Sequence, residues 1–430
     1  MTAIPTVRHA MPGPDTIVVH TLDNGLRVYV YENPTVPAII LDGAFPFGSV
    51  YEPPELNGLA ALTAGMLRRG TRAHSFDTLN ETLDALGASV EFSGGRHALD
   101  IYAQCLSEDL PYILELTAQM LREPAFPAEE FHRLKQQTLT RIQERYNDTR
   151  AVAFLTFRRL LYGDHPYGRP VTGEKETVTR ITLDHVRSFY QNHLSPQGGQ
   201  LVIVGDVRAE AVLRQVEALL SDWQGPNPQR PLPPVAPPQK TREEHVLMRD
   251  KSQTDVVLGW LGVPRNHPDW TALVVANTLW GQFGMGGRIG DRVREKEGMA
   301  YYAYGTLEGN FAPGMWAAAA GVAPENVPQA IAIILDETRR LREEQVSPEE
   351  LDEVQSFLVG SLPVRLETNE GLASAIGDMA WYDLGLDYLQ TYEERIRSVT
   401  AEDIQRVAQT YMNENVYVLA TAGPAASEKT

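Results

Sequence analysis

The 430-residue sequence predicts an α+β protein of two related domains, on three observations. First, seven prolines fall between Pro226 and Pro238 (GPNPQRPLPPVAPP), near the middle of the chain. Proline fixes φ and removes an amide donor, so neither a helix nor a sheet strand can run through such a segment, and it reads as an interdomain linker. Second, the halves match at a nearly constant offset, the signature of an internal duplication. LREPAFPAEEF from Leu121 lies over LREEQVSPEEL from Leu341, and ITLDHVRSFYQNHL from Ile181 lies over VTAEDIQRVAQTYM from Val399. Third, each half mixes strand-like alternation with helical spacing of apolar residues. The expected organisation is a first domain over 1–223, a linker over 224–242 and a second domain over 243–430.

The elements follow in order. Asn24-Gly25, between the alternating stretches IVVHTL and LRVYVYE, predicts a hairpin with a type I′ turn, because that pair tolerates positive φ. An antiparallel sheet therefore opens the first half. Leu110, Ile113, Leu114, Leu116, Met120 and Leu121 recur at helical spacing, and Pro127-Ala-Glu-Glu has the form of another helix's first turn. Ser347-Pro348-Glu349-Glu350 repeats that start, with Ser as N-cap, Pro at the first helical position and acids facing the positive helix end. LVIVGDV from Leu201 and VYVLATAG from Val416 read as late strands of the two halves.

Composition narrows the function classes. Hydrophobic residues at 43% and charged residues at 22% are ordinary globular values. The net charge of −18 repels phosphate backbones and anionic membrane surfaces, which argues against nucleic-acid and membrane partners. The one cysteine, Cys105, can form neither an internal disulfide nor a cysteine-rich metal site. The first residues carry no apolar run of the kind a secretory signal needs, and no stretch approaches the ~18 consecutive apolar residues of a membrane span. A cytoplasmic location is the expectation.

The segment GLAALTAGMLRRGT from Gly58 carries the most specific signal. It resembles the active-site region of the pitrilysin/insulinase-type inverted-zincin peptidases, with their pattern Gly-x-x-His-x-x-Glu-His-x-Leu-x-x-Gly-Thr. In that pattern two histidines at i and i+4 share a helix face and bind one zinc, and the glutamate polarises its water. The frame is kept at Gly58, Leu67, Gly70 and Thr71, whereas Ala61, Ala64 and Gly65 stand at the His, Glu and His positions. The resemblance places the family's third zinc ligand near Thr140 and Arg141, where neither residue is a carboxylate; Glu144 is a helix turn away. It implies that this chain holds no metal of its own and no cofactor.

In the second half, GGRIGDRVREKEGMAYYAYG from Gly286 resembles the family's Arg-Glu-x-x-Gly-x-x-Tyr segment. Arg294 and Tyr301, seven residues apart, match its arginine and tyrosine. The resemblance implies that this pair serves a zinc site on another domain, where a guanidinium and a phenol donate to the oxyanion formed on a peptide carbonyl. Without the family frame, the same residues read as an Arg in a last helical turn before a Gly C′ residue, Gly298, and a strand tyrosine.

The resemblance extends over nearly the whole chain. It implies two mainly antiparallel sheets with helices on one face, together half of a clamshell chamber. It further implies a non-catalytic subunit of a heterodimeric zinc peptidase, partnered by a zinc-bearing homologous subunit and acting on unfolded peptides, with a homodimer open in isolation. A purely structural or peptide-binding homologue is the alternative. The histidines supply no other metal site by spacing: His185 and His193 stand eight apart without a carboxylate between, and His132 reads as a solvated helix face. GQFGMGGRIG lacks the Gly-x-Gly-x-x-Gly order and a following Gly-Lys-Ser/Thr, so it reads as a flexible loop into the Arg294 helix, with Phe283 either core or substrate contact.

Overall fold

The computed structural model describes residues 11–227, 229–230 and 232–425. Of the linker prolines, Pro228 and Pro231 lie outside these residues; the described residues around them form neither helix nor strand. Two compact units emerge. One comprises the described residues of Met1–Leu139, Val171–Pro231 and Pro363–Tyr392, the other Thr140–Pro170, Leu232–Leu362 and the described part of Glu393–Thr430.

The first unit holds a six-stranded sheet of β1 (Ile17–Thr21), β2 (Arg27–Glu32), β3 (Ala38–Pro46), β4 (Ser89–Gly94), β5 (Ala98–Leu106) and β6 (Gln200–Gly205), in the order β1-β2-β6-β3-β5-β4. The second holds β7 (Arg242–Leu247), β8 (Thr254–Leu261), β9 (Ala300–Leu307), β10 (Met315–Val322) and β11 (Val418–Gly423), in the order β7-β11-β8-β10-β9. Dropping β1 leaves the same permutation in both sheets, so the duplication read from short sequence matches is a duplication of topology. Each sheet has one parallel pair, β2–β6 or β7–β11, and is otherwise antiparallel. The central strands β6, β8, β10 and β11 are buried at every position, which explains their continuous apolar runs.

Several local expectations hold at the level of single bonds. Ser347 Oγ accepts from Glu350 N at 3.2 Å at the start of helix Pro348–Arg365. The matched segments ITLDHV and VTAEDI both open helices through capping boxes, Thr182 with His185 and Thr400 with Asp403. The first hairpin differs from expectation. Leu22 N bonds Leu26 O, Gly25 N bonds Leu22 O, and only Gly25, at φ +86°, is left-handed. The loop is thus Asp23-Asn24-Gly25, three residues with an αL glycine rather than a two-residue type I′ turn. Asn24 is instead held by its side chain, which donates to Leu220 O at 2.6 Å and Trp223 O at 3.1 Å.

Helices cover both faces of each sheet, one more layer than the one-faced arrangement expected. A Cβ on Gly94 of β4 would meet the Ala60 carbonyl oxygen at 2.7 Å, so helix Leu59–Leu67 lies on that face. Gly94 pairs Leu99, which pairs Phe45, and Asp42, three residues from Phe45, points the other way. On Asp42's face lies helix Asn369–Trp381 from the far end of the sequence. Gln200 Nε2 of β6 donates to Gly377 O at 2.8 Å, and the Gly377 Cβ position is 3.2 Å from Asp42 Oδ1. The second sheet mirrors this. Helix Trp270–Gly281 packs on Gly305 of β9, while helix Thr149–Tyr162, from the first half of the sequence, opens on Asp255 of β8, whose Oδ2 accepts from Thr149 Oγ1 at 2.5 Å. Each sheet is therefore finished by a helix from the other half of the chain.

Candidate functional site

Two segments carry the sequence-predicted residues, one in each unit. In the first, Ala61, Ala64 and Gly65 lie on helix Leu59–Leu67. Its frame residues have backbone duties. Gly58, the N-cap, adopts φ +99°, and a Cβ there would meet Thr172 O at 2.9 Å. Gly70 adopts φ +121°, and Thr71 Oγ1 accepts from His74 N at 3.0 Å. Sequence reading missed the group that fixes the helix start, Glu52. This carboxylate is buried, and it accepts from Asn57 Nδ2 at 2.7 Å, Gly58 N at 3.0 Å and Ala60 N at 2.8 Å. An acid meeting orphan amides at a positive helix end is the expected chemistry, but no local spacing rule connects positions 52 and 60.

The residues at the motif positions do not fit a zinc ion. Methyl groups and a hydrogen atom offer no lone pair. Ala64 is fully buried, and a Cβ on Gly65 would already meet Leu134 Cδ2 at 3.0 Å, so apolar packing occupies the space a ligand side chain would need. Thr140, Arg141 and Glu144 are exposed positions on helix Ala128–Arg145. Among the described residues, no three His, Cys, Asp or Glu side chains are grouped to hold a metal. His193 is packed against Phe189, ring centroids 4.4 Å apart, and burial holds its pKa below the usual histidine value. His132 is exposed on its helix.

The second segment contrasts with the first in having polar groups that point outward. Gly286 and Gly287, both at positive φ, turn the chain into the short helix Gly287–Gly290 and then a π-helical turn, Asp291–Lys296. Gly298, at φ +62°, ends the turn: its N–H donates to Arg294 O at 3.1 Å, and Met299 N donates to Val293 O at 3.0 Å. β9 then begins at the open edge of its sheet. Phe283 packs edge-on to Phe357 of helix Pro348–Arg365, ring centroids 5.4 Å apart.

Most polar side chains of this segment are already engaged. Arg288 makes a bidentate pair with Glu350, at 2.7 and 2.6 Å. Arg292 reaches Asp336 at 2.5 Å and Glu337 at 2.9 Å. Tyr302 donates to Asp255, and burial followed by that bond pushes its phenol above the ordinary value. Arg150 bonds the Tyr304 hydroxyl and stacks over the Tyr302 and Tyr304 rings at 4.7 and 5.2 Å. What remains is the pair singled out by spacing. Arg294 meets only its neighbour Glu295, at 3.6 Å, with 34% of its side chain exposed, and Tyr301 is 88% exposed. Energetically, that adjacent surface pair holds Arg294 only weakly.

Comparison with known proteins places this geometry in a family. The description "Insulinase (Peptidase family M16)" matches residues 28–175, and "Peptidase M16 inactive domain" matches residues 180–358. An uncharacterized zinc protease of Streptomyces coelicolor is 29% identical over 406 residues, 92% of this chain and 87% of that protein. One from Bacillus subtilis, YmxG, is 24% identical over 94% of this chain and 98% of its own. A crystal structure of a peptidase M16 inactive domain from Pseudomonas fluorescens superimposes with a TM-score of 0.89 at 26% identity, over 96% of this chain and all of that one. A protease from Helicobacter pylori shares the fold with a TM-score of 0.89 at 19% identity, over 96% of this chain and 100% of that one. With two M16 matches in series, one over each half of the chain, and a fold shared with M16 structures, the chain belongs to peptidase family M16, the insulinase-type metallopeptidases.

Proposed function

We propose that this chain is the non-catalytic subunit of a heterodimeric zinc peptidase acting on unfolded peptides. The zinc belongs to a homologous partner subunit, and this chain contributes Arg294 and Tyr301. The observation that carries the reading is the contrast within one segment: Arg288, Arg292, Tyr302 and Tyr304 are held by residues far along the chain, whereas Arg294 has only a long pair to the adjacent Glu295 among the described residues and Tyr301 is exposed. A guanidinium is charged at every working pH, and an exposed phenol donates a hydrogen bond. Both suit the oxygen of a peptide carbonyl as it gains negative charge, and both serve only if aimed there in advance. Ala61, Ala64 and Gly65, which offer a metal no lone pair, support placing the remaining chemistry on the partner.

The test is reconstitution. The chain alone, assayed for zinc and peptide hydrolysis, is expected to show neither; mixing with a zinc-bearing homologue is expected to raise hydrolysis. Arg294→Ala and Tyr301→Phe should lower that activity by roughly ten- to a thousandfold, in kcat more than in KM. Zinc and hydrolysis in the isolated chain would refute the reading. Activity on mixing that ignores both substitutions would leave a structural or peptide-binding role instead.

A further inference from the structure

We infer that Glu337 is a positioning residue, which anchors the π-helical turn and thereby keeps the Arg294 guanidinium available; this rests on the role proposed for Arg294 above. Glu337 lies on helix Val327–Glu343 and is fully buried. A buried carboxylate is tolerated only when its charge is matched, and two guanidinium groups match it. Arg292 Nη1 donates to Oε1 at 2.9 Å, and Arg340 Nη1 lies 3.1 Å from both oxygens. Arg292 also reaches Asp336 Oδ2, whose other oxygen accepts from Arg339 at 2.6 Å. The same helix holds the end of the turn, where Gln329 Nε2 donates to Glu297 Oε2 at 3.1 Å.

The consequence follows from chain geometry. Arg292 and Arg294 are two residues apart on the π-helical turn, so they point to roughly opposite sides of it. With Arg292 aimed at Glu337, Arg294 is aimed away from that carboxylate. Arg288, one turn earlier, is drawn to Glu350 on helix Pro348–Arg365. Of three arginines within seven residues, two are held by acidic residues on neighbouring helices, and Arg294 has the adjacent Glu295. Wide π-helical turns are uncommon and recur where a side chain must be re-aimed, which fits this placement.

The experiment uses the full-length chain carrying Glu337→Gln, with Arg292→Met as a second variant in case the buried amide impairs folding. Phenylglyoxal labelling with mass spectrometry reports which guanidinium groups are open. In the wild-type chain Arg294 should label several times faster than Arg288 and Arg292. In Glu337→Gln, Arg292 should become reactive, and amide exchange over 291–298 should speed up while β9 keeps its protection beyond Tyr301. Unchanged labelling and exchange in the variants would overturn the inference. In the reconstituted mixture Glu337→Gln should lower kcat by about ten- to a hundredfold, and Glu337→Gln with Arg294→Ala should be no worse than Arg294→Ala alone. Losses that multiply would also overturn it, since Glu337 would then act by another route. If Arg294→Ala has no effect, the subunit reading fails, and the labelling and exchange still decide whether Glu337 holds the turn.

Discussion

Glu52 shows what a single side chain contributes to this fold. It accepts from three donors at the start of helix Leu59–Leu67, and those donors are buried with it. Glu52→Gln keeps the shape but turns one acceptor oxygen into a donor facing other donors. A loss of about 1–3 kcal/mol is expected, checked by the guanidinium midpoint of the first unfolding transition against wild type. Cys105 offers a second test. It is buried on β5, and burial, followed by the nearby Asp109 charge, pushes its thiol up to about 12. The thiolate is the reactive form, so a thiol reagent at pH 8 should leave the native chain unmodified and label it fully in denaturant. Rapid labelling of the native chain would show that this part of β5 opens locally.

At the scale of elements, the polar face of the first sheet makes the folding free energy depend on pH. Asp42 sits between β3 and helix Asn369–Trp381, where desolvation, then repulsion from Asp100, pushes its pKa up to about 7. In the unfolded chain an aspartate titrates near 3.9. Between these values the folded state binds more protons than the unfolded one, so this contribution falls as pH rises from about 4 to about 7 and is level above. Asp42→Asn should remove that slope: nearly neutral at pH 4, stabilising at pH 8, as read from denaturant midpoints at the two pH values. A variant equally stabilised at both would show that Asp42 is ionised throughout. The second sheet meets the same need differently. Its Asp255 accepts hydrogen bonds from Thr149 Oγ1 and the Tyr302 hydroxyl.

At the scale of the molecule, the exchanged helices decide where the chain can be cut. A division at the proline linker separates β3 and β6 from helix Asn369–Trp381, and β8 and β11 from helix Thr149–Tyr162. Fragments 1–223 and 243–430, expressed separately, should therefore expose apolar sheet surface and aggregate or bind a hydrophobic dye. Together they should complement each other into a species with native far-UV and near-UV circular dichroism. Independent, cooperative unfolding of either fragment alone would show that its sheet does not need the borrowed helix. The two compact units are each drawn from both sides of the linker.

The duplication, the linker, the helix caps and the late strands were legible in the sequence, because each depends on spacing within a few residues or on a repeat that periodicity exposes. Ala61, Ala64, Gly65, Arg294 and Tyr301 were picked out through motif frames whose glycines answer to local backbone geometry, and their roles are the proposal made above. Only the tertiary structure decided the rest. The hairpin loop took three residues because Asn24 found partners nearly two hundred residues away. The helix exchange could not be read from spacing, since a helix's own amphipathic pattern says which face is apolar and not which sheet receives it. The same holds for Glu337 and Arg292: as letters they are two charges on two helices, and burial of Glu337 brings them together. Local order follows from the chain's own periodicities, whereas long-range pairing is set by which charges and apolar faces the packed molecule brings together.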